Sequence, residues 1–468
     1  MNLHRFGREH NTLPCTLGVT ALLLLSLPFT AALPPPQAPL RHNDRPQNGT
    51  RGAVACESAL CSRIGTDMIE LGGSAADALV AATLCVGVVA MYHSGIGGGG
   101  FLLVRDPERG VYETVDFRET APAAAHRDMY AGLSDTASTV GGLAVAVPGE
   151  VRGLETVHER WGKLSWRTVV MPAVRVAREG FRVNEDLVRY MNRVGGNASF
   201  LVSDPAWAED FAPNGTLVKL GDLMTRKRYA NTLETIAIHG PDAFYYGKIA
   251  ESIVNATQSS NGILTLADMA EYAIQTRTSH LVTTDSTGLT LSSTTTINLL
   301  FGALLLTPDT GIPLNNEMDD FSQPGRRNAF GYDPAPHNYI APGKRPLSSI
   351  SPVIAEREGG EVVLATGAAG GSRIVSATAE TVWRVLGRGM GLEEAVRGSR
   401  VHDQLIPAET LVEEGVEESV VRGLMERGHN VTVVGVGLSA VHGVVRGEDG
   451  VFEAVGETRL KESGGSVV

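Results

Sequence analysis

The chain has none of the short motifs that announce a familiar metal or nucleophile chemistry. H-E-x-x-H, a paired-cysteine zinc pattern and a G-x-S-x-G elbow are all absent, so nothing here points to a zinc site or an exposed serine on a strand-to-helix elbow. A basic excess is lacking too. Lys and Arg number 40 against 52 Asp and Glu, for a net charge of −12. A nucleic-acid partner would need a basic stripe, and an acidic, solvated surface is the reading that remains. No tract marks disorder and no internal repeat appears; 20% charged and 43% hydrophobic residues are ordinary for a globular protein. At 468 residues the length alone allows about three domains.

Only the N-terminus carries a long apolar run. Arg5 and Arg8 precede apolar residues 17–29, and Thr30-Ala31-Ala32 follow. This is a charged region, an apolar region and a small-residue cleavage site, the pattern of a secretory signal over residues 1–32. The run is short for a bilayer span, which takes about 20 apolar residues; an uncleaved signal anchor is the alternative. The expected location is secreted or extracytoplasmic, membrane-anchored if the signal stays. Asn48, Asn197, Asn214, Asn255 and Asn430 each open an Asn-X-Ser/Thr sequon, candidate glycosylation sites that agree with export. Cysteine is scarce, four in all. Cys15 would leave with the signal, and an oxidising compartment permits one bridge among Cys56, Cys61 and Cys85 with one thiol over.

Residues 33–53 form a proline-rich linker. From Ser58 the apolar spacing predicts a helix that Gly72-Gly73 ends, and Ser74 caps a second, Ala- and Val-rich helix over 75–89, buried on most sides. Further helices are expected at 149–161, 166–179, 223–239, 249–258 and 374–386. Strands are expected at 101–104, 111–116, 280–284, 289–296, 352–355 and 362–366, with a last hairpin pairing 431–445 with 451–455. Helices mostly first and hairpins mostly later predict sheets sandwiched by helices.

Gly95-Ile96-Gly97-Gly98-Gly99-Gly100 satisfies G-x-G-x-x-G. A dinucleotide fingerprint, however, runs strand, glycines, helix, and here a helix precedes and a strand follows. Close backbone packing is the better reading, and no cofactor is expected. Gly370-Gly371 has the opposite order, strand then helix, so its N–H groups are candidates to face an oxyanion. Asn315-Asn316-Glu317-Met318-Asp319-Asp320 lacks the alternating ligands of a calcium loop, and no metal is expected. The carboxylates suit a substrate ammonium group. Arg118, in Asp116-Phe117-Arg118-Glu119-Thr120, is the matching candidate for a carboxylate. Thr278, in Thr278-Ser279-His280-Leu281, would be an ordinary strand residue unless the chain were cut before it. Its own α-amine, with an unperturbed pKa near 8, could then take the hydroxyl proton.

In order and spacing, Thr278-Ser279-His280-Leu281, Thr294-Thr295-Thr296-Ile297-Asn298, the 315–320 cluster, Pro346-Leu347-Ser348-Ser349 and Gly367-Ala368-Ala369-Gly370-Gly371 resemble the small subunit of the γ-glutamyltranspeptidases (glutathione hydrolases). Residues 72–100, 115–124 and 141–183 resemble its large subunit. The resemblance implies an N-terminal-nucleophile hydrolase of α/β (α+β) class, an αββα four-layer sandwich. It implies a large-subunit-like region over 54–277 and a catalytic region over 278–468, held together as a heterodimer after autocleavage between Arg277 and Thr278. Thr278 would be the nucleophile, Thr296 its orienting partner, and Gly370 and Gly371 the oxyanion hole. Arg118, Ser348 and Ser349 would hold the α-carboxylate of a γ-glutamyl group, and Asn298, Glu317 and Asp320 its α-amine. Cys61 and Cys85 fall where the family has a disulfide. Glutathione and other γ-glutamyl compounds would be donors; water, amino acids or peptides would be acceptors.

One departure stands just before the nucleophile. In the family a segment of ~100 residues, the size of a small domain, separates the region like 263–272 from the catalytic threonine, whereas here Tyr272 and Thr278 are nearly adjacent. Its loss should uncover apolar surface. A non-catalytic relative, or an incomplete gene product that keeps the pocket but cannot mature, is the alternative to an active enzyme.

Overall fold

The computed structural model describes residues 49–275, 282–328 and 331–468. The expected signal, most of the linker, Asn48, Arg277, Thr278 and the first residues of the 280–284 strand lie outside the described residues. Among those described, the strands are β1 Gly52–Cys56, β2 Gly99–Asp106, β3 Val111–Asp116, β4 Phe181–Arg182, β5 Leu223–Met224, β6 Val282–Asp285, β7 Thr290–Thr296, β8 Val353–Glu356, β9 Val362–Ala369, β10 Val401–Asp403, β11 Thr410–Glu413, β12 Val431–Val434, β13 Ala440–Arg446, β14 Phe452–Val455 and β15 Gly464–Val467.

Two sheets dominate. The larger runs β15-β1-β6-β7-β2-β3 and the smaller β14-β13-β9-β8, all paired antiparallel. They stack face to face, with β1 against β13 and β14, and β7 against β9. Helices Ala59–Glu70 and Ala75–Val89 cover the outer face of the large sheet; Ile374–Val382 and Leu392–Arg397 cover that of the small one. The order is helix, sheet, sheet, helix.

Side-chain alternation along the strands builds these layers. In β1, Ala53 and Ala55 point into the space between the sheets with Val282, Ala365 and Val444, while Val54 points out onto Ile69, Ala78 and Ala82. In β9, Ala365 faces the inter-sheet core and Leu364 and Ala368 face the outer helices. Ser74 caps helix Ala75–Val89 with a full capping box, and all fifteen of its residues are buried, as its composition predicts. The Cys61–Cys85 disulfide ties this helix to its predecessor, with Cα atoms 5.4 Å apart, while Cys56 stays a buried free thiol. No helix among the described residues is long and apolar enough to cross a membrane. Asn197, Asn214, Asn255 and Asn430 are all exposed.

The structure corrects three expectations. The stretch 431–445 is not one strand: β12 pairs in parallel with β11 in a separate three-stranded sheet, and β13 pairs with β9 and β14. Gly435 and Gly437 lie between them, the latter at φ +128°, where only glycine sits without strain. The helix expected from 223 begins at Lys227, because Leu223–Met224 pairs with Phe181–Arg182. Strand β1 begins inside the stretch read as linker and lies second from the edge of the large sheet, between β15 and β6.

Candidate active site

Strand β7 is the spine of the site. It ends at Thr296, whose Oγ1 accepts a hydrogen bond from the backbone N of Asn298 at 2.8 Å. Asn298 sits at φ +69°, a left-handed position that asparagine tolerates, and its Nδ2 donates to Asn316 O at 3.0 Å. The glycine turn lies against this strand: a Cβ on Gly98 would fall 2.0 Å from Thr296 O. The glycines allow this close backbone approach.

Asn315 and Asn316 anchor the acidic turn. Asn315 Nδ2 donates to Gly97 O and Ala146 O at 2.8 and 2.9 Å, and its Oδ1 accepts from Glu317 N at 3.0 Å. Met318 and Phe321 are fully buried with Ile340 and Tyr130, which turns Glu317 and Asp320 inward. Asp319 accepts from Ser138 Oγ at 2.6 Å.

Arg118, 1% exposed, ion-pairs with both Glu317 and Asp320 and donates to Leu347 O at 2.9 Å. The two charges that the resemblance assigns to opposite ends of a substrate therefore neutralise each other here. Buried ions without a partner are costly, and here they are one another's nearest partners. Tyr272 OH and Arg345 Nε fix the Arg118 carbonyl at 2.8 and 3.1 Å. Burial raises Glu317 well above the usual carboxyl range against the opposing pull of Arg118. Burial likewise pushes the neighbouring Glu119 up to about 7, again against Arg118. Three carboxyls thus share one guanidinium.

Gly370 and Gly371 join β9 to the turn that leads into helix Ile374–Val382. Gly370 adopts φ +138°, and a Cβ there would stand 3.0 Å from Ser439 Cα. Ser348 and Ser349 follow Leu347, and Ser348 Oγ accepts from Ile350 N at 3.3 Å.

Arg118, Thr296, Asn298, Glu317, Asp320, Ser348, Ser349, Gly370 and Gly371 all line one cavity of about 400 Å³. Thr278 and Arg277 lie outside the described residues. Sequence reasoning missed Glu150, fully buried, whose carboxyl bonds Thr295 Oγ1 beside Thr296; burial pushes it up to about 8. At the first turn of helix Glu150–Trp161 it reads in sequence as a helix-dipole acid, and its burial is set by distant parts of the chain. Glu119 was missed although it adjoins Arg118.

The αββα layering, with a pocket at the end of a central strand, is the fold of the N-terminal-nucleophile hydrolases. Cephalosporin acylase from Bacillus halodurans shares this fold, with a TM-score of 0.79 at 19% identity over 93% of this chain and 99% of that one. A sequence model described as Gamma-glutamyltranspeptidase matches residues 61–277 and 274–467. The glutathione hydrolase proenzyme of Arthroderma benhamiae is 40% identical over 548 positions, covering 90% of this chain and 93% of that protein. The glutathione hydrolase of Aspergillus flavus is 37% identical, covering 89% of each. The chain belongs to the γ-glutamyltranspeptidase family, a family of enzymes. The 548 aligned positions exceed the 468 residues of the chain itself, and the two family matches meet at 274–277. Relatives therefore carry residues that this chain lacks.

Proposed function

We propose that the protein hydrolyses and transfers γ-glutamyl groups, taking glutathione and related γ-glutamyl amides as donors. The observation that carries this is the buried Arg118–Glu317–Asp320 group in the same cavity as Thr296, Asn298, Ser348, Ser349 and the glycine pair. A γ-glutamyl head group is a zwitterion, and the two signs it needs are present and already desolvated. On binding, the α-carboxylate takes Arg118 with Ser348 and Ser349, while the α-ammonium takes Asn298, Glu317 and Asp320. The substrate's two charges then replace the internal pairs of Arg118 with Glu317 and Asp320, so neither side is left without an opposite charge.

Cleavage of the Arg277–Thr278 peptide bond frees the α-amine of Thr278. Thr278 Oγ attacks the γ-carbonyl carbon and passes its proton to that amine. The amide C–N bond breaks, the leaving amine takes the proton, and a γ-glutamyl ester remains on Thr278. Thr296 orients the hydroxyl, and the N–H groups of Gly370 and Gly371 stabilise the oxyanion. Water, or an amino-acid or peptide amine, then takes the acyl group. The two fragments stay together as a heterodimer. The signal-like N-terminus and four exposed sequons support a secreted glycoprotein.

A second reading, a relative that keeps the pocket but cannot mature, is favoured by one observation: the chain skips residues that its relatives carry beside the cleavage point. A denaturing gel and N-terminal sequencing separate the two. Two fragments, the smaller beginning at Thr278, together with turnover of a γ-glutamyl anilide, support the enzyme; one uncut, inert band supports the second reading. Thr278→Ala should abolish both cleavage and transfer, because one oxygen serves both steps. Maturation or turnover by that variant sinks the nucleophile assignment.

A further inference from the structure

One flank of the sandwich is left open. The small sheet ends on β8, which pairs only with β9, and no backbone hydrogen bond reaches its outer side among the described residues. Val353, Ile354 and Ala355 are half-exposed there, although Ile354 belongs to the inter-sheet core and Ala355 to the outer one. The outer helix Ile374–Val382, which runs on to Gly387, is apolar on two faces. Ile374 and Ala377 are buried against the small sheet, while Val375, Ala379, Trp383 and Leu386 form an exposed stripe spaced by four, four and three residues. Trp383 is 56% exposed and Val375 52%. A surface helix normally turns a polar face to water, so this one is built to be covered twice.

The residues that relatives carry and this chain lacks enter at the same flank. Gln275, where the two family matches meet, pairs with Asp116 at the end of β3, the outer strand of the large sheet. Strands β3 and β8 stand on one side of the sandwich: Glu356 of β8 takes Arg105 of β2 at 2.5 Å and accepts a hydrogen bond from Tyr112 of β3. Of the two edges, β3 is protected by charge, with Glu113 paired to Arg109 and Arg160. Strand β8 has no charge before Glu356, and an uncharged open edge is a template for another chain. We propose that this flank is the interface of a two-fold dimer, in which β8 pairs antiparallel with β8 of a second copy of the chain. A second copy fits because both features are self-complementary. Antiparallel pairing of one strand with its own copy satisfies the outward N–H and C=O groups of both, and a two-fold axis closes the assembly after two chains. The two small sheets then become one, and the outer helices meet across the axis, stripe against stripe, at the spacing of a helix–helix seam. The second copy covers a flank to which relatives bring extra chain of their own.

Sedimentation of the full chain at micromolar concentration tests this. The expected particle holds two chains, twice the 49.5 kDa of one. Trp383→Glu places a charge in the seam and should raise the dissociation constant about a hundredfold or more, the cost of an unpaired buried charge. Val353→Lys, at the strand edge, should act in the same way. Val433→Lys, on the outer strand of the separate three-stranded sheet, should leave the dimer intact, and thermal melts verify that all three variants fold. A monomer at every concentration, a dimer untouched by Trp383→Glu or Val353→Lys, or one broken by Val433→Lys overturns the proposal. An open-ended series of oligomers also overturns it, since that is the mark of a head-to-tail contact. A monomer that floats with phosphatidylcholine vesicles overturns it in favour of a lipid surface. None of these readouts depends on turnover of a γ-glutamyl anilide, so the interface and the activity are judged separately.

Discussion

Arg118 and Glu317 come from segments about 200 residues apart and form an ion pair in which both side chains are essentially sealed from solvent, at 1% and 0% exposure. Such a pair adds little net stability, but losing one partner strands the other. Arg118→Ala should therefore cost roughly 3–5 kcal/mol of unfolding free energy, read from urea melts. Arg118→Lys keeps the charge but not the planar fork that grips a carboxylate bidentately. It should fold and raise the donor KM far more than it lowers kcat. An unchanged KM would remove Arg118 from the carboxylate site.

Gly370 holds a conformation closed to other residues, and an added Cβ would meet the Ser439 backbone. Gly370→Ala should shift the N–H groups at the strand end and cost about 1–3 kcal/mol of local strain. If those groups bind the oxyanion, kcat should fall by about 100-fold or more while the donor KM moves little. A variant with normal kcat would show that the turn only joins strand to helix.

Glu150 gives a pH signature. Burial lifts its carboxyl from 4.5 to about 8, so between those values the folded state holds a proton that the unfolded chain has lost. Stability from this group is complete below about 4.5 and drains away as pH rises to about 8. Glu150→Gln, which mimics the protonated acid, should melt close to the native protein at pH 5 and above it at pH 8. Parallel curves across that range would mean that Glu150 is ionised in the fold.

The Cys61–Cys85 bridge closes a short loop, with a sequence separation of 24. Removing it as the paired Cys61→Ser, Cys85→Ser variant should cost about 2–4 kcal/mol, read by denaturant titration under non-reducing conditions. The variant should leave the donor KM unchanged, since neither cysteine lines the cavity.

Elements with strong local punctuation were readable from sequence. Ser74 after two glycines marked the start of helix Ala75–Val89, and the strands expected at 352–355 and 362–366 form the β8–β9 hairpin. Strand β1 was not readable, because Gly52-Ala53-Val54-Ala55-Cys56 is buried on both faces and a strand covered on both sides has no alternation to detect. The lining of the cavity was readable only through resemblance. Its residues come from several distant stretches, and nothing local in Arg118 or Ser348 foretells that they meet. Glu119 and Glu150 look like surface acids in sequence, since only the tertiary packing buries them.

Strand β1 has β15 on one side and β6 on the other, so one of the first strands to leave the ribosome is flanked by one of the last. Roughly 400 residues must be translated between β1 and β15, which at about 5–20 residues per second takes about 20–80 seconds. Throughout that interval the nascent chain carries a buried-type strand with an open edge, the kind of surface that seeks any available partner. The edge of β1 that β15 fills can close only after those roughly 400 further residues have been made.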